Sequence, residues 1–165
     1  MKNVFLLPTD KPSRLLFDKE EDRLLPLHYE PVFMEHQDLV ENQHIYITSN
    51  EEIKKDEFYL GDDNHIYNLC TTVNSNGKKI ILTTNEELIE EGIQAIDDEF
   101  LEWFINNPSC EEIGVNDWLD DNGNIAFGNK ERYKIVIPKE EPKQEKIEEV
   151  LKKINSIKLL QFFLV

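Results

Sequence analysis

Carboxylate side chains in the middle of the chain are the residues whose spacing most suggests a chemical role. Residues 85–121 contain 13 Asp and Glu but neither Lys nor Arg. Carboxylates grouped in this way focus a negative potential, which attracts basic surfaces. We therefore predict a docking face for a basic protein; the alternative is that these residues only cap helices and solvate the surface. The candidate contact residues are Asp97, Asp98, Glu99, Glu102, Glu111, Glu112, Trp118, Asp120 and Asp121.

Catalysis by paired carboxylates is a competing interpretation. A pair such as Asp97 and Asp98 could act as general acid and general base, but a chain with 34 acids offers many such pairs. The sequence contains no nucleophile elbow, P-loop, dinucleotide-binding glycine motif or HExxH zinc motif. We therefore expect a non-enzymatic protein without a cofactor, and we keep a carboxylate-dependent hydrolase as a less favoured alternative.

Metal binding is not supported by the spacing of the candidate ligands. Residues 120–123 read Asp-Asp-Asn-Gly, as in a calcium-binding loop, but Trp118 and Asn129 would occupy two positions that require carboxylates. The four histidines and two cysteines also lack the close spacing of a zinc site. We expect no metal site, and we interpret residues 120–124 as a hairpin turn.

Length and charge restrict the class of protein further. A chain of 165 residues can form one domain that buries its core without disulfides or a metal. The formal net charge is −16, and a field of that sign repels nucleic acid, so we expect no direct binding to DNA or RNA. Cys70 and Cys110 are too few for a disulfide framework, and no apolar stretch reaches about 18 residues. We expect a cytoplasmic protein without a membrane segment.

The strand and helix pattern predicts an α+β fold with a mainly antiparallel sheet. Residues 43–83 alternate short apolar strands with turns rich in Gly and Asn, which is typical of a meander. Residues 84–138 predict a helix followed by a hairpin. We therefore predict a single domain over residues 1–138, in which one short helix covers the sheet.

Capping residues locate the two helical turns of this domain. Asp97 and Asp98 are good N-caps for a helix over residues 97–107, whose apolar residues follow at helical spacing. Upstream, Thr84 and Glu87 have the spacing of a capping box, which predicts a shorter helical turn.

A separate C-terminal segment is predicted after the domain. Residues 139–145 contain only Lys, Glu, Pro and Gln, a composition typical of a linker. Residues 146–165 predict a helix whose apolar end must be buried against the domain or against a partner. This suggests a homo-oligomer formed through the C-terminal helix, so a self-assembling structural module is the second alternative function. The residues of that contact would be Leu159, Leu160, Phe162, Phe163 and Leu164.

Several stretches of the chain also carry a resemblance to other proteins. They are residues 43–53, 79–84, 94–104, 107–111 and 133–145. Together they resemble a group of small uncharacterised proteins common in bacteriophage and prophage genomes, over about residues 41–145. That group has no established activity, so the resemblance implies no catalytic residue. It implies a phage accessory or host-interaction protein in the bacterial cytoplasm. Together with the clustered acids, it suggests a basic nucleic-acid-binding or defence protein as the partner.

Overall fold

The computed structural model describes residues 2–26, 39–69, 77–120, 122–125 and 131–139. Within these ranges the fold is α+β and mainly antiparallel, as the sequence predicts. The strands are β1 (Val4–Thr9), β2 (Leu15–Asp18), β3 (Arg23–Pro26), β4 (Val40–Ser49), β5 (Phe58–Leu60), β6 (Ile66–Asn68), β7 (Lys78–Thr83), β8 (Gln94–Ala95), β9 (Gly114–Asp117) and β10 (Tyr133–Val136), and the helices are α1 (Glu86–Glu90) and α2 (Asp98–Asn106).

Strand β4 is the centre of the main sheet because it pairs along both of its edges. β1 lies antiparallel along one edge over its whole length. The other edge is shared, since β2 pairs with the first part of β4 and β7 pairs with the second part. The turn between β1 and β2 therefore crosses from one side of β4 to the other. The Ser13 hydroxyl donates a hydrogen bond to the Gln43 carbonyl beside this crossing.

The meander predicted for residues 43–83 differs from the observed strand order. The order is β3-β2-β4-β7-β5-β6, so β4 neighbours β7 and not the next strand in the sequence. β5 and β6 are three-residue strands that form a hairpin, and β5 joins the outer edge of β7. The longer apolar strands β4 and β7 bury more surface by pairing with each other. The short hairpin is consequently placed outside them.

A bulge in β7 adds an apolar side chain to the middle of the sheet. Ile47 pairs with Leu82 and Thr48 pairs with Ile80, which leaves Ile81 as an extra residue. Both Ile81 and Leu82 belong to the larger core, whereas Ile80 belongs to the smaller one.

Both faces of the main sheet are buried, each with the help of one helix. Alternate residues of a strand point to opposite faces, so Ile45 and Ile47 lie in the larger core and Tyr46 lies in the smaller core. Helix α2 packs on the larger core, and α1 contributes Leu88 to the smaller core.

Helix α2 forms where the sequence predicts it. The Asp97 carboxylate accepts a hydrogen bond from the Phe100 amide at 2.8 Å, which is the expected N-cap. The helix ends at Asn106, two residues before Pro108. One face of the helix is apolar and buried; its residues are Phe100, Leu101 and Phe104.

Helix α1 is capped by Asn85 and not by Thr84, so the predicted capping box is wrong. The Asn85 side chain accepts a hydrogen bond from the Glu87 amide at 3.0 Å. The Thr84 hydroxyl oxygen instead accepts a hydrogen bond from the Ile45 amide at 2.9 Å. The Thr84 side chain therefore makes a tertiary contact with β4 instead of the helix cap that the local sequence pattern predicts.

Strands β9 and β10 form a separate antiparallel pair that packs into the larger core. Ile113, Tyr133 and Ile135 supply its buried side chains. Asn3 connects this pair to β1, because its side chain donates to the Ile113 carbonyl and accepts from the Ile113 amide, each at 2.9 Å. The predicted turn is present, with Leu119 bridging Ile125.

The predicted C-terminal features lie outside the described residues. These are the linker after Lys139, the helix over residues 146–165 and the apolar contact residues Leu159, Leu160, Phe162, Phe163 and Leu164. In the part of the chain that the structure describes, no helix is long and apolar enough to cross a membrane.

Candidate functional site

Asp98 and Glu111, two of the predicted partner-binding acids, form close ion pairs with basic residues. Asp98 Oδ1 lies 2.8 Å from Nη1 of Arg14, whose other terminal nitrogen donates to the Ile96 carbonyl at 2.8 Å. Glu111 Oε1 lies 2.9 Å from Nζ of Lys2. Because these charges are neutralised within the molecule, they contribute less to the attraction of a partner.

Two other predicted acids, Asp97 and Asp120, accept hydrogen bonds from backbone amides. Asp97 caps α2 and also lies 3.6 Å from Nζ of Lys134. Asp120 accepts hydrogen bonds from the amides of Asn124 and Asn122, each at 2.9 Å, and these bonds lower the pKa of Asp120. Both carboxylates therefore have a structural task that explains their position.

The remaining predicted contact residues differ in exposure. Glu112 is exposed, and Trp118 has 39% of its surface exposed, as an interface anchor would require. The Trp118 amide donates to the Arg132 carbonyl at 2.7 Å, which fixes its backbone. Asp121 lies outside the described residues.

Glu99 and Glu102 form what we call the α2 acidic face. Both are exposed and stand three residues apart, so they lie on the same side of the helix, away from the buried face. Among the residues that the structure describes, neither has a cation within ion-pairing distance. These two carboxylates combine exposure with an uncompensated charge.

A second group of ionisable residues, which the sequence analysis did not find, lies between the main sheet and the β9–β10 pair. At its centre, Lys79 has 9% of its side chain exposed. Its ammonium nitrogen lies 2.9 Å from Glu57 Oε1 and 3.2 Å from Glu51 Oε2. We call this group the mixed-charge cluster; its members are Glu51, Glu57, Lys79, Asp117, Arg132 and Tyr133.

Arg132 extends the mixed-charge cluster to the hairpin. One of its terminal nitrogens lies 3.1 Å from Glu51 Oε2 and 3.0 Å from Asp117 Oδ2. Its guanidinium carbon stands 4.6 Å from the centroid of the Tyr133 ring, in cation–π geometry. The Tyr133 hydroxyl donates to Glu51 Oε1 at 3.2 Å. Glu51 is therefore shared by three donor side chains from two parts of the fold.

The pKa shifts in the cluster agree with these contacts. Burial raises the pKa of Glu57, but hydrogen bonds from the Lys54 amide and from Lys79 outweigh this effect, and its pKa is lowered. The hydrogen bond from Arg132 lowers the pKa of Asp117. Burial, followed by the charge of Glu51, raises the pKa of Tyr133 far above its ordinary value. The lowered pKa values favour the ionised forms of Glu57 and Asp117, and the raised pKa favours the protonated form of Tyr133.

No local signal in the sequence could have identified this cluster. Arg132 lies 81 residues from Glu51, and Lys79 lies 28 residues from it. The one hint is a lysine inside the apolar strand β7, where a buried cation requires acidic partners.

Tyr133 contributes to the lining of two clefts. The smaller cleft has a volume of about 290 Å³ and includes Lys2, Lys78 and Glu112 in its lining. The larger cleft has a volume of about 420 Å³ and an apolar wall. The residues of that wall include Phe58, Ile80 and Ile93, and the acids of the larger cleft are Asp56, Glu57, Glu91 and Glu131. Within the described ranges, no group of three or more His, Cys, Asp or Glu is arranged to hold a metal.

The histidines and cysteines have separate environments. His44 is buried in β4, with Nδ1 at 3.4 Å from the Thr84 hydroxyl, and burial lowers its pKa. His65 is exposed beside Asp63. Cys110 is a partly buried free thiol. His28, His36 and Cys70 lie outside the described residues.

Comparison with known proteins gives no relative for this arrangement. No protein-family model matches the chain, and no curated protein or solved structure matches it either. The site is therefore interpreted from its own residues.

Proposed function

We propose that this protein is a non-enzymatic binding protein that docks a basic protein on the α2 acidic face. The observation that supports this function is the contrast along one short helix. Asp97 and Asp98 at its start are bound by a backbone amide or an arginine, whereas Glu99 and Glu102 project into solvent with no cation near them in the described structure. Free carboxylates on a rigid helix are available to a cationic partner without a competing internal bond.

The overall charge favours the same kind of partner. A net charge of −16 attracts basic proteins over a long range and accelerates their association. Exposed charge pairs mainly determine the association rate and the choice of partner, while packed contacts determine how long a complex lasts. Trp118 is an exposed aromatic residue that could supply such a contact.

The biological setting that we propose follows from the resemblance to phage-encoded proteins. A phage accessory protein in the bacterial cytoplasm would meet many basic host proteins, because proteins that bind nucleic acid carry positive surfaces. An acidic protein can occupy such a surface without binding nucleic acid itself. The partner in this proposal is therefore a basic nucleic-acid-binding or defence protein of the host or the phage.

The experiment is a capture from bacterial lysate with three immobilised forms of the protein. The forms are the wild type, the Glu99→Gln/Glu102→Gln variant, and a control, Asp98→Asn/Glu111→Gln. Both variants remove two negative charges, so long-range attraction falls by a similar amount. Only the first variant removes carboxylates that have no partner in the described structure.

The proposal predicts that the wild type retains a basic protein at about 0.1 M salt, where the Debye length is about 10 Å, and releases it at about 1 M salt. Retention should fall more in the Glu99→Gln/Glu102→Gln variant than in the control. If no basic protein is captured, or if capture survives about 1 M salt unchanged, the proposed function is wrong.

A further inference from the structure

The larger cleft has the dimensions of a ligand site and a lining that is partly apolar and partly charged. Its volume of about 420 Å³ lies within the range of small-ligand pockets, which is about 300–1,000 Å³. Ile80 is a buried residue of its lining, and Phe58 and Ile93 are partly buried. These three side chains offer an apolar surface to whatever enters.

The ionisable groups of the larger cleft favour a cation over an anion. Among the described residues of the cleft, Lys79 and Arg132 are the two cations, and each is held by two carboxylates, so neither has a free charge for an anionic ligand. Asp56, Glu91 and Glu131 are exposed, and none has a cation within ion-pairing distance in the part of the chain that the structure describes. Among the described residues of the cleft, the charged groups without an ion-pair partner are therefore all carboxylates.

A cleft lined by both apolar side chains and carboxylates matches a long side chain with a charged end. Arginine and lysine bury their methylene stems on apolar surfaces and keep the charged group among polar partners. The guanidinium group is more weakly hydrated than an ammonium group and also stacks on aromatic rings, such as the ring of Phe58. An arginine therefore fits this cleft better than a lysine.

We propose that the larger cleft binds an arginine side chain of the basic partner, with its methylene stem on Ile80 and Ile93 and its guanidinium between Glu91 and Glu131. This inference rests on the proposed function, because it supplies the specific contact that the α2 acidic face lacks. The α2 acidic face attracts the partner, and the cleft recognises one of its side chains.

The test uses the isotope-labelled full-length protein and the small probe Nα-acetyl-arginine amide. Its neutral analogue, Nα-acetyl-citrulline amide, keeps the shape and removes the charge. The expected result is a saturable shift of the amide resonances of Gly92 and Gln94 with the arginine probe, and a much weaker shift with the citrulline probe. A Glu91→Gln/Glu131→Gln variant should lose about fivefold or more in affinity for the arginine probe.

The control is the Asp10→Asn/Glu20→Gln variant, which removes two exposed carboxylates outside the larger cleft and should bind the arginine probe as the wild type does. If both probes shift the same resonances equally, or if the arginine probe shifts neither Gly92 nor Gln94, the cleft does not recognise arginine. If partner capture depends on Glu99 and Glu102 while the probe leaves the cleft unchanged, only this inference fails. If the probe binds in the cleft but no basic protein is captured from lysate, the cleft does bind arginine and the proposed function is wrong.

Discussion

The α2 acidic face and the mixed-charge cluster contain the same chemical group in opposite surroundings. Glu99 and Glu102 lie in solvent on one side of a helix. Glu51, Glu57 and Asp117 surround a buried lysine and a half-buried arginine. A count of acidic residues along the sequence does not distinguish these two groups. The cations that the fold brings to each carboxylate decide whether it stabilises the protein or remains available to a partner.

The mixed-charge cluster joins parts of the fold that are distant in sequence. Glu51 follows β4, Glu57 precedes β5, and Lys79 lies in β7. Arg132 and Asp117 bring in one end of the β9–β10 pair, because Asp117 ends β9 and Arg132 directly precedes β10. The cluster therefore fixes the hairpin against the main sheet, and it should affect stability more than any exposed acid does.

The largest difference in stability between variants of the two regions is expected for Lys79→Met in the mixed-charge cluster. Removing the cation leaves Glu57 with the Lys54 amide alone and leaves Glu51 with Arg132 and Tyr133, and breaking a buried pair costs about 3–5 kcal/mol. Because these carboxylates are about one-third exposed, we expect a loss of about 3 kcal/mol in the free energy of unfolding, measured with urea. The matched change Glu102→Gln should alter stability by less than about 0.5 kcal/mol. A loss below about 1 kcal/mol for Lys79→Met would show that water already screens the cluster.

A smaller difference is expected between two acids at the start of α2. Asp97→Ala removes the N-cap and should cost about 1 kcal/mol. Glu99→Ala, two residues later, removes a carboxylate that has no bonding partner in the described structure, and it should cost a few tenths of a kcal/mol at most. Thermal unfolding of both variants measures the two losses. Equal losses would mean that Glu99 also has a structural contact and is not a free carboxylate.

The smallest effect concerns acid pH. The folded-state pKa values of Glu57 and Asp117 are lowered, so their stabilisation is complete above their unfolded values of about 4 and is lost as the pH falls through the folded values. The Asp117→Asn variant should therefore lose less stability than the wild type when the pH is lowered below about 4. Urea unfolding across this pH range measures how the free energy of unfolding changes with pH in both proteins. An identical change in the variant and the wild type would show that Asp117 does not contribute to the loss of stability at acid pH.

The sequence predicted the features that depend on neighbouring residues. Helix α2 was predicted correctly because Asp97, the apolar spacing and Pro108 act within a few turns. The pairing of β4 with β7 was missed because it depends on the surface that two distant strands bury together. Thr84 was assigned to the wrong role for a related reason, since a contact with β4 outweighed a local capping pattern.

The candidate site also has features that the sequence predicts and features that depend on the folded structure. The acids themselves can be read from the chain, but the partners of Asp98 and Glu111 come from the N-terminal residues Arg14 and Lys2. The sequence could therefore propose nine contact residues but could not distinguish the free carboxylates from the neutralised ones. The mixed-charge cluster was missed because its members meet only in the folded protein.

The most direct test of the central claim is the affinity of the captured partner for the wild type and for the two double variants. Titration calorimetry at about 0.1 M salt, where charges still act over about 10 Å, gives the three dissociation constants. We predict that Glu99→Gln/Glu102→Gln weakens binding clearly more than Asp98→Asn/Glu111→Gln, although both change the net charge by the same amount. Equal weakening by the two variants would contradict the account, because the partner would then respond to total charge and not to the free carboxylates of α2.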